Sequence, residues 1–312
     1  MMIRTRMSPH SHKPLLVLIT GPTAVGKTAV STRVAQELQT HIISADARQF
    51  YKELQIGTAA PTKAELESAP HHFIGHLSIH DNYNAARYAS DALNLLHKLF
   101  ADHPVVVLTG GSGLYIDTLL YGIDDLPDPD PAARQEVKNI HDRQGVEGLR
   151  RWLRQVDPQY YDVVDRANPN RMMRAIETFL TTGEKFSALR RNKEVARPFD
   201  TLKIILDRPR EELFARINAR TAQMIRDGLI EEAWAFFAHR RLNALNTVGY
   251  KEVYAWLSGV WPLATAVEKI QTHTRRYAKR QMTWFKRYDD AQWLHPEACD
   301  EILTRIREKV NP

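Results

Sequence analysis

The sequence predicts an α/β protein, a parallel sheet with helices on its faces that carries a helical insertion. Three observations predict it. Short apolar runs alternate with helical stretches, and one run leads into a glycine-rich loop that opens a helix. A proline- and aspartate-rich break then separates a charged, strand-free stretch from the next apolar run.

Taken in order, residues 15–20 (LLVLIT) form an unbroken apolar run, as a strand buried on both faces requires. The run enters GPTAVGKT at 21–28, and a helix is predicted from Ala29 to roughly Gln39. A second short strand, HIIS at 41–44, ends beside Asp46. Between Tyr83 and Phe100, the residues Ala86, Ala89, Leu93, Leu96 and Phe100 recur at helical spacing, and the pattern stops before His103-Pro104. VVVLT at 105–109 reads as a third buried strand entering a second glycine turn, GGSG. After Gly122 the stretch IDDLPDPDPAA holds no periodicity and marks a boundary. Residues 134 to about 191 are helical and charged, LKIIL at 202–206 resumes a buried strand, and 210–310 is expected to be helical. The expected organisation is a disordered basic tail at 1–13, a core made of 14–122 and 199–312, and a helical insertion at 123–198.

Of the 312 residues, 43% are hydrophobic and 26% charged, enough apolar mass for a large core. The 43 Lys+Arg exceed the 37 Asp+Glu, and the net +6 suits a phosphate-rich partner. Cys299 is the single cysteine, which excludes an intrachain disulfide framework and a cysteine zinc site and implies a reducing compartment. The basic N-terminus MMIRTRMSPHSHK is followed by an apolar run only one strand long, too short for a secretory leader or a membrane span. A cytoplasmic monomer with no membrane partner is the expectation.

Gly21, Gly26, Lys27 and Thr28 satisfy G-x-x-x-x-G-K-[ST], with a strand before and a helix after, so the sheet is expected to be P-loop NTPase-like. The glycines let backbone N–H groups turn inward around an anion at a helix N-terminus. Lys27 reaches outer phosphate oxygens, and the Thr28 hydroxyl can sit on a phosphate-bound Mg²⁺, the one cofactor expected. Nucleotide-using P-loop enzymes add a strand ending in a magnesium-directed Asp. VVVLTGG ends without an acid. In LKIILD, Asp207 runs straight into Arg208-Pro209, which fits a helix start at least as well.

Asp46 closes the second strand in SADARQFY, where strand ends line the ligand crevice, and two roles fit: a general base, or a cap for the following turn. Ser112 in the second glycine turn fits either local backbone bonding or a diphosphate oxygen. From Lys269 to Tyr288 there are seven cations, no acid, and interleaved Tyr277, Trp284, Phe285 and Tyr288. A helix would gather Arg276, Lys279, Arg280 and Arg287 on one side, either as a solvated face over core aromatics or as an RNA-backbone contact. The unbalanced sign favours RNA. Arg171, Arg174, Lys185, Arg190, Arg191 and Lys193 make a second basic cluster, and the two clusters suggest a clamp.

Several segments together resemble the tRNA dimethylallyltransferase (tRNA isopentenyltransferase) family. They are GPTAVGKT (21–28), ISADARQFYKELQIGTAAPT (43–62), PHH (70–72), GGSGLY (110–115), NPNRMMRAIE (168–177), TVGYKE (247–252) and RRYAKRQMTWFKR (275–287). SxDxxQxYxxxxIGTAxP with AKRQxTW is the specific pair, and no C-terminal Cys/His zinc finger is present, as in the bacterial type. The resemblance implies transfer of a dimethylallyl group from its diphosphate to the exocyclic amine of the adenosine 3′ to the anticodon, in a channel formed by core and insertion. It implies Asp46 as general base, Ser112 as a diphosphate-side hydroxyl that also meets tRNA, and Gly21, Thr23, Ala24, Val25, Gly26, Lys27, Thr28 and Arg220 as the diphosphate cradle. Implied tRNA contacts are Asp46, Ala47, Arg48, Gln49, Arg134, Asn170, Arg171, Met172, Met173, Arg174, Asn246, Thr247, Val248, Gly249, Tyr250 and Lys251, beside Arg276 and Arg280 of the basic segment. Ala47 stands where the family usually has serine, Ala60 where it has lysine, and Ser112 where threonine is commoner. Rival readings are a P-loop small-molecule kinase, a free-nucleotide isopentenyltransferase and a non-catalytic RNA-binding NTPase.

Overall fold

The computed structural model describes residues 13–124, 126–128, 130–190 and 195–310. The tail at 1–12 and the insertion cations Arg191 and Lys193 lie outside the described residues. Two compact units divide the chain, one made of the residues up to Leu120 with those from Ala196, the other Tyr121–Val195.

In the first unit, β1 (Leu15–Thr20) is buried at every position, which is why its sequence is apolar without alternation. It pairs in parallel with β4 (Val105–Gly110) on one side and β5 (Asp200–Leu206) on the other. Beyond β4 come β2 (Ile42–Ser44) and the two-residue β3 (His71–His72), and beyond β5 comes β6 (Gln292–Leu294), giving the order β3-β2-β4-β1-β5-β6. β6 corrects the expectation of an all-helical stretch from 210 to 310. Its three residues, paired to the edge of β5, are too few for a period-two signal. β3 is shorter still.

Thr20 aligns with Gly110 and Thr109 with Ser44, so the turns that follow β1, β4 and β2 emerge side by side at the carboxyl edge. Gly21 is dictated by close approach: a Cβ there would sit 2.5 Å from the Leu206 carbonyl oxygen, and its φ is 150°. The helix α1 (Lys27–Glu37) starts two residues earlier than the sequence suggests, with Gly26 as its N-cap. α2 (Lys63–Ser68) is closed by a Thr62–Glu65 capping box. α3 (Ala85–Leu99) is capped by Asn84 and carries His97 and Lys98 in its last turn, where cations favour the helix dipole. α4 (Gly113–Tyr121) follows β4 directly.

The second unit contains α5 (Pro131–Val156), broken at Gly145, with α6 (Pro158–Val163), α7 (Pro169–Thr182) and α8 (Phe186–Leu189). Its own core includes Val137, Leu149, Leu153, Met172, Ile176 and Phe186.

The first unit resumes through β5 into α9 (Arg210–Arg226), α10 (Leu229–Ala235), α11 (Tyr250–Leu257), α12 (Leu263–Phe285) and, after β6, α13 (Cys299–Val310). α13 returns to the sheet, where Cys299, Ile302 and Ile306 join the core beside Val17 and Val34. Among the described residues no helix is long and apolar enough to cross a membrane.

Candidate active site

The oxygens of residues 21 to 25 are each held by a cation. Lys27 Nζ donates to the carbonyls of Gly21 (3.1 Å) and Pro22 (3.0 Å). Arg220 donates to Thr23 Oγ1 at 2.5 Å, Arg216 to the Ala24 carbonyl at 2.8 Å and Arg208 to the Val25 carbonyl at 2.9 Å. Ala24 adopts φ 66°, a conformation that non-glycine residues hold only under constraint. Below this loop, the first turn of α1 leaves backbone N–H groups with no partner inside the helix.

A cavity of about 530 Å³ opens over the loop, lined by Thr23, Ala24, Gly26, Lys27, Thr28 and Ala29. Asp46, Gln49, residues 58 to 61, Glu65, Arg216 and Arg220 complete it. The phosphate loop and Asp46 therefore face one space. Gly21 and Val25 do not line it, because Val25 is fully buried and its N–H is given to the Pro22 carbonyl at 3.3 Å.

Burial pulls the Lys27 ammonium down to about 8, against the opposing pull of the Asp46 carboxylate and with the help of Arg220. Burial lowers Arg220 too, while Asp46 raises it. Such concentrated positive charge in a desolvated site suits a multiply charged anion.

Asp46 closes a turn and also faces the cavity. Its Oδ1 accepts the Arg48 N–H at 3.0 Å, closing the turn after β2, and its side chain lines the cavity. Gln49 is tied by its amide to the carbonyls of Thr58 (3.3 Å) and Ala59 (2.9 Å). Ala60 lines the cavity, so its small side chain leaves open the space that a longer one would enter. Ser112 lies outside the lining. Its Oγ accepts the Ala47 N–H at 2.9 Å and its own N–H reaches the Ala45 carbonyl at 3.2 Å, which joins the turns after β2 and β4. Tyr277 comes within hydrogen-bond reach of Ser112, and burial followed by the Asp46 charge raises its phenol.

Other expected contacts separate by burial. Met172 is fully buried in the core of the second unit and Tyr250 in the first, where its hydroxyl bonds Glu232 at 2.5 Å. Neither side chain can meet RNA, a correction whose cause is that both are core anchors within otherwise exposed motifs. Arg174 donates to the Pro127 carbonyl at 2.9 Å, and Arg134 approaches Glu177 at 3.8 Å. Asn170 and Arg171 are exposed and Met173 is half-buried. In the loop before α11, Asn246 and Lys251 are exposed, Thr247 and Val248 half-buried, and Gly249 buried with its N–H on Glu252 at 2.8 Å. Arg48 is spent on the carbonyls of Asn243 (2.7 Å) and Ala244 (3.2 Å).

Arg276, Lys279 and Arg280 are exposed on α12. Arg287 lies past the helix end and pairs with Asp117 at 2.9 Å. Arg276 and Lys279 line a larger cavity of about 850 Å³ with Phe214, Met282 and Trp293. No residue of the phosphate loop lines that cavity and it lacks Asp46, so size does not choose the reaction centre. Asp207 lines it too, with its Oδ1 on the Arg208 N–H at 2.8 Å, and is absent from the lining of the phosphate cavity. This disfavours a metal-directed role for Asp207.

Two residues escaped the sequence reading. Arg216 stands one helical turn before Arg220 in RINAR, a spacing that could have revealed it. Gln281, an uncharged residue in the basic run, accepts the Thr23 N–H at 2.8 Å.

Residues 49–288 match the family model described as IPP transferase. The chain is similar to tRNA dimethylallyltransferase 1 of Bacteroides fragilis, with 47% identity over 96% of this chain and 99% of the relative. It is also similar to tRNA dimethylallyltransferase 1 of Porphyromonas gingivalis, at 47% identity over 91% and 94%. The crystal structure of the full-length tRNA isopentenylpyrophosphate transferase of Bacillus halodurans aligns with a TM-score of 0.71 and 32% identity, over 96% of this chain and 97% of that one. A eukaryotic dimethylallyltransferase acting on tRNA shares the fold at TM-score 0.72 and 24% identity, over 91% and 74%.

Proposed function

The chain belongs to the tRNA dimethylallyltransferase family, the IPP transferases, and on that premise we propose how its cavity modifies tRNA. The donor is dimethylallyl diphosphate and the acceptor is the exocyclic N6 amine of the adenosine 3′ to the anticodon. The products are N6-dimethylallyladenosine and diphosphate. One observation carries this reading: the Asp46 carboxylate and the cationic phosphate loop line the same cavity.

An allylic diphosphate reacts as its C–O bond breaks, and negative charge grows on the leaving oxygens. Lys27, Arg216, Arg220 and the N–H groups that open α1 border the cavity where they can stabilise that charge. The Thr28 hydroxyl faces the cavity with Asp46 nearby, a sparse oxygen set of the kind Mg²⁺ accepts when substrate phosphates and water supply the rest. When bound there, Mg²⁺ would neutralise diphosphate charge. The adenine amine is a weak nucleophile because its lone pair is shared with the ring. Asp46 takes the amine proton as the new C–N bond forms, a step commonly worth ~10²–10⁴-fold.

The base must leave its stack to reach the cavity, which costs least for a loop nucleotide. Exposed Arg276 and Arg280 of α12, and Asn170 and Arg171 of α7, are the groups we assign to the RNA backbone. We take a monomer as the working unit. We place it in the cytoplasm, the compartment of its tRNA substrate.

The test is mass analysis of nucleosides from tRNA incubated with the protein, Mg²⁺ and dimethylallyl diphosphate. A dimethylallyl adduct confined to the adenosine beside the anticodon is expected. Unmodified tRNA, or label appearing only on free nucleotides, would refute the assignment.

A further inference from the structure

We propose that Gln281 is a positioning residue: its side-chain amide sets the spacing between the two glycine loops and ties both to the basic helix α12. The role rests on the diphosphate reading above. Gln281 is only 5% exposed, and both ends of its amide are used. The Oε1 accepts the Thr23 N–H of the phosphate loop at 2.8 Å, and the Nε2 donates to the Gly111 carbonyl of the second glycine loop at 2.9 Å. Thr23 is held from its other side by Arg220, so its position depends on two helices at once.

Gly111 is the glycine that this contact requires. A Cβ at that position would lie 2.2 Å from Gln281 Nε2, and it would lie 3.8 Å from Lys27 Nζ. The amide and the ammonium therefore occupy the same side of the loop.

The docking continues along α12. A Cβ at Gly113 would meet Trp284 Nε1 at 2.3 Å, while Arg287 and the Tyr288 hydroxyl both reach Asp117. Gln281, Trp284, Arg287 and Tyr288 are thus seated on 111–117, while Arg276, Lys279 and Arg280 of α12 remain exposed. Only a side chain that accepts an N–H and donates to a carbonyl at fixed spacing can hold both loops. Glutamate preserves the shape and the acceptor but loses the donor and adds a charge beside Lys27. Leucine removes both bonds.

The experiment measures binding of dimethylallyl diphosphate, turnover at saturating tRNA and tRNA affinity, for wild type, Lys27→Met, Gln281→Glu and Gln281→Leu. In Gln281→Glu the acceptor for the Thr23 N–H is kept while the Gly111 carbonyl loses its donor, so kcat should fall about 10-fold with tRNA affinity within about twofold of wild type. In Gln281→Leu, kcat should fall about 10- to 100-fold, with tRNA affinity within about twofold of wild type, because misplacement by about an ångström is costly to chemistry and not to backbone contacts. Gly111→Ala should reproduce that kcat loss. A kcat within about threefold of wild type in Gln281→Glu or in Gln281→Leu overturns the inference. Should Gln281→Leu fail to fold, the isosteric glutamate variant decides alone. Wild type that binds the donor no better than Lys27→Met would instead overturn the diphosphate reading, and this one with it.

Discussion

Donor binding should be linked to the Lys27 proton. In the free protein, burial pulls the Lys27 ammonium down to about 8, from an ordinary value of 10.5, and the nearby Asp46 only partly offsets that burial. A bound diphosphate places negative oxygens against the ammonium and returns it towards or above the ordinary value. The folded, ligand-free protein therefore binds fewer protons than either the unfolded chain or the complex between about pH 8 and 10.5. For folding, the burial penalty is present below about pH 8 and relieved as pH rises through that window. For binding the sign reverses: the Lys27 contribution to affinity is constant below about pH 7 and falls by nearly tenfold per unit above about pH 8, reaching about a tenfold loss near pH 9. The terminal phosphoryl group of an organic diphosphate titrates near pH 6 and does not contribute to that limb. Isothermal titration calorimetry with dimethylallyl diphosphate, in two buffers of different ionisation enthalpy, reads both the slope and the proton uptake. Uptake should approach one proton per complex near pH 9, and Lys27→Arg should show neither slope nor uptake, since guanidinium stays charged. A flat wild-type profile, or the same slope in Lys27→Arg, would refute the reasoning.

Two further outcomes are expected. Arg276→Ala combined with Arg280→Ala should weaken tRNA binding and lower the salt-dependence slope by about 2, read by filter binding over a salt series; an unchanged slope would place these side chains off the RNA. At the edge of the sheet, His41 Nδ1 lies 2.8 Å from His72 Nε2, and desolvation holds both imidazoles below their ordinary range, helped by His103 beside His41 and by His41 beside His72. Because the folded state favours their neutral forms, the stability they contribute is present above about pH 6.5 and is lost as pH falls through and below it. Acid unfolding followed by circular dichroism should show a shallower loss in His72→Gln, and an identical acid limb would exclude the pair.

The strands that meet at the site were legible in the sequence because burial on both faces forces continuous apolar runs, as at Leu15–Thr20 and Val105–Gly110. The phosphate loop was legible because Gly21 and Gly26 hold backbone conformations that the motif encodes. Asp46 was found from its place at a strand end. Less was legible wherever a role depends on the partner reached. Met172 and Tyr250 sit inside recognition motifs, yet their side chains point into cores, and local pattern does not distinguish the two directions. Ser112 looked like a ligand group, but its Oγ faces the Ala47 N–H, a contact set by the alignment of β2 with β4. Arg208 and Arg216 hold the phosphate loop across 183 and 192 residues of chain, and Gln281 across 258, separations at which one sequence carries no pairing signal. β6 was missed because three edge residues carry too little periodicity.

The decisive measurement is single-turnover transfer by Asp46→Asn, with tRNA and donor binding measured on the same preparation. The amide keeps an oxygen able to accept the Arg48 N–H, so the turn should stay closed and both substrates should bind as in wild type. The transfer rate should fall by about 10²–10⁴-fold, because the amine proton then has no carboxylate to receive it. A transfer rate close to wild type with both substrates bound would show that the carboxylate facing the phosphate loop takes no part in the chemistry.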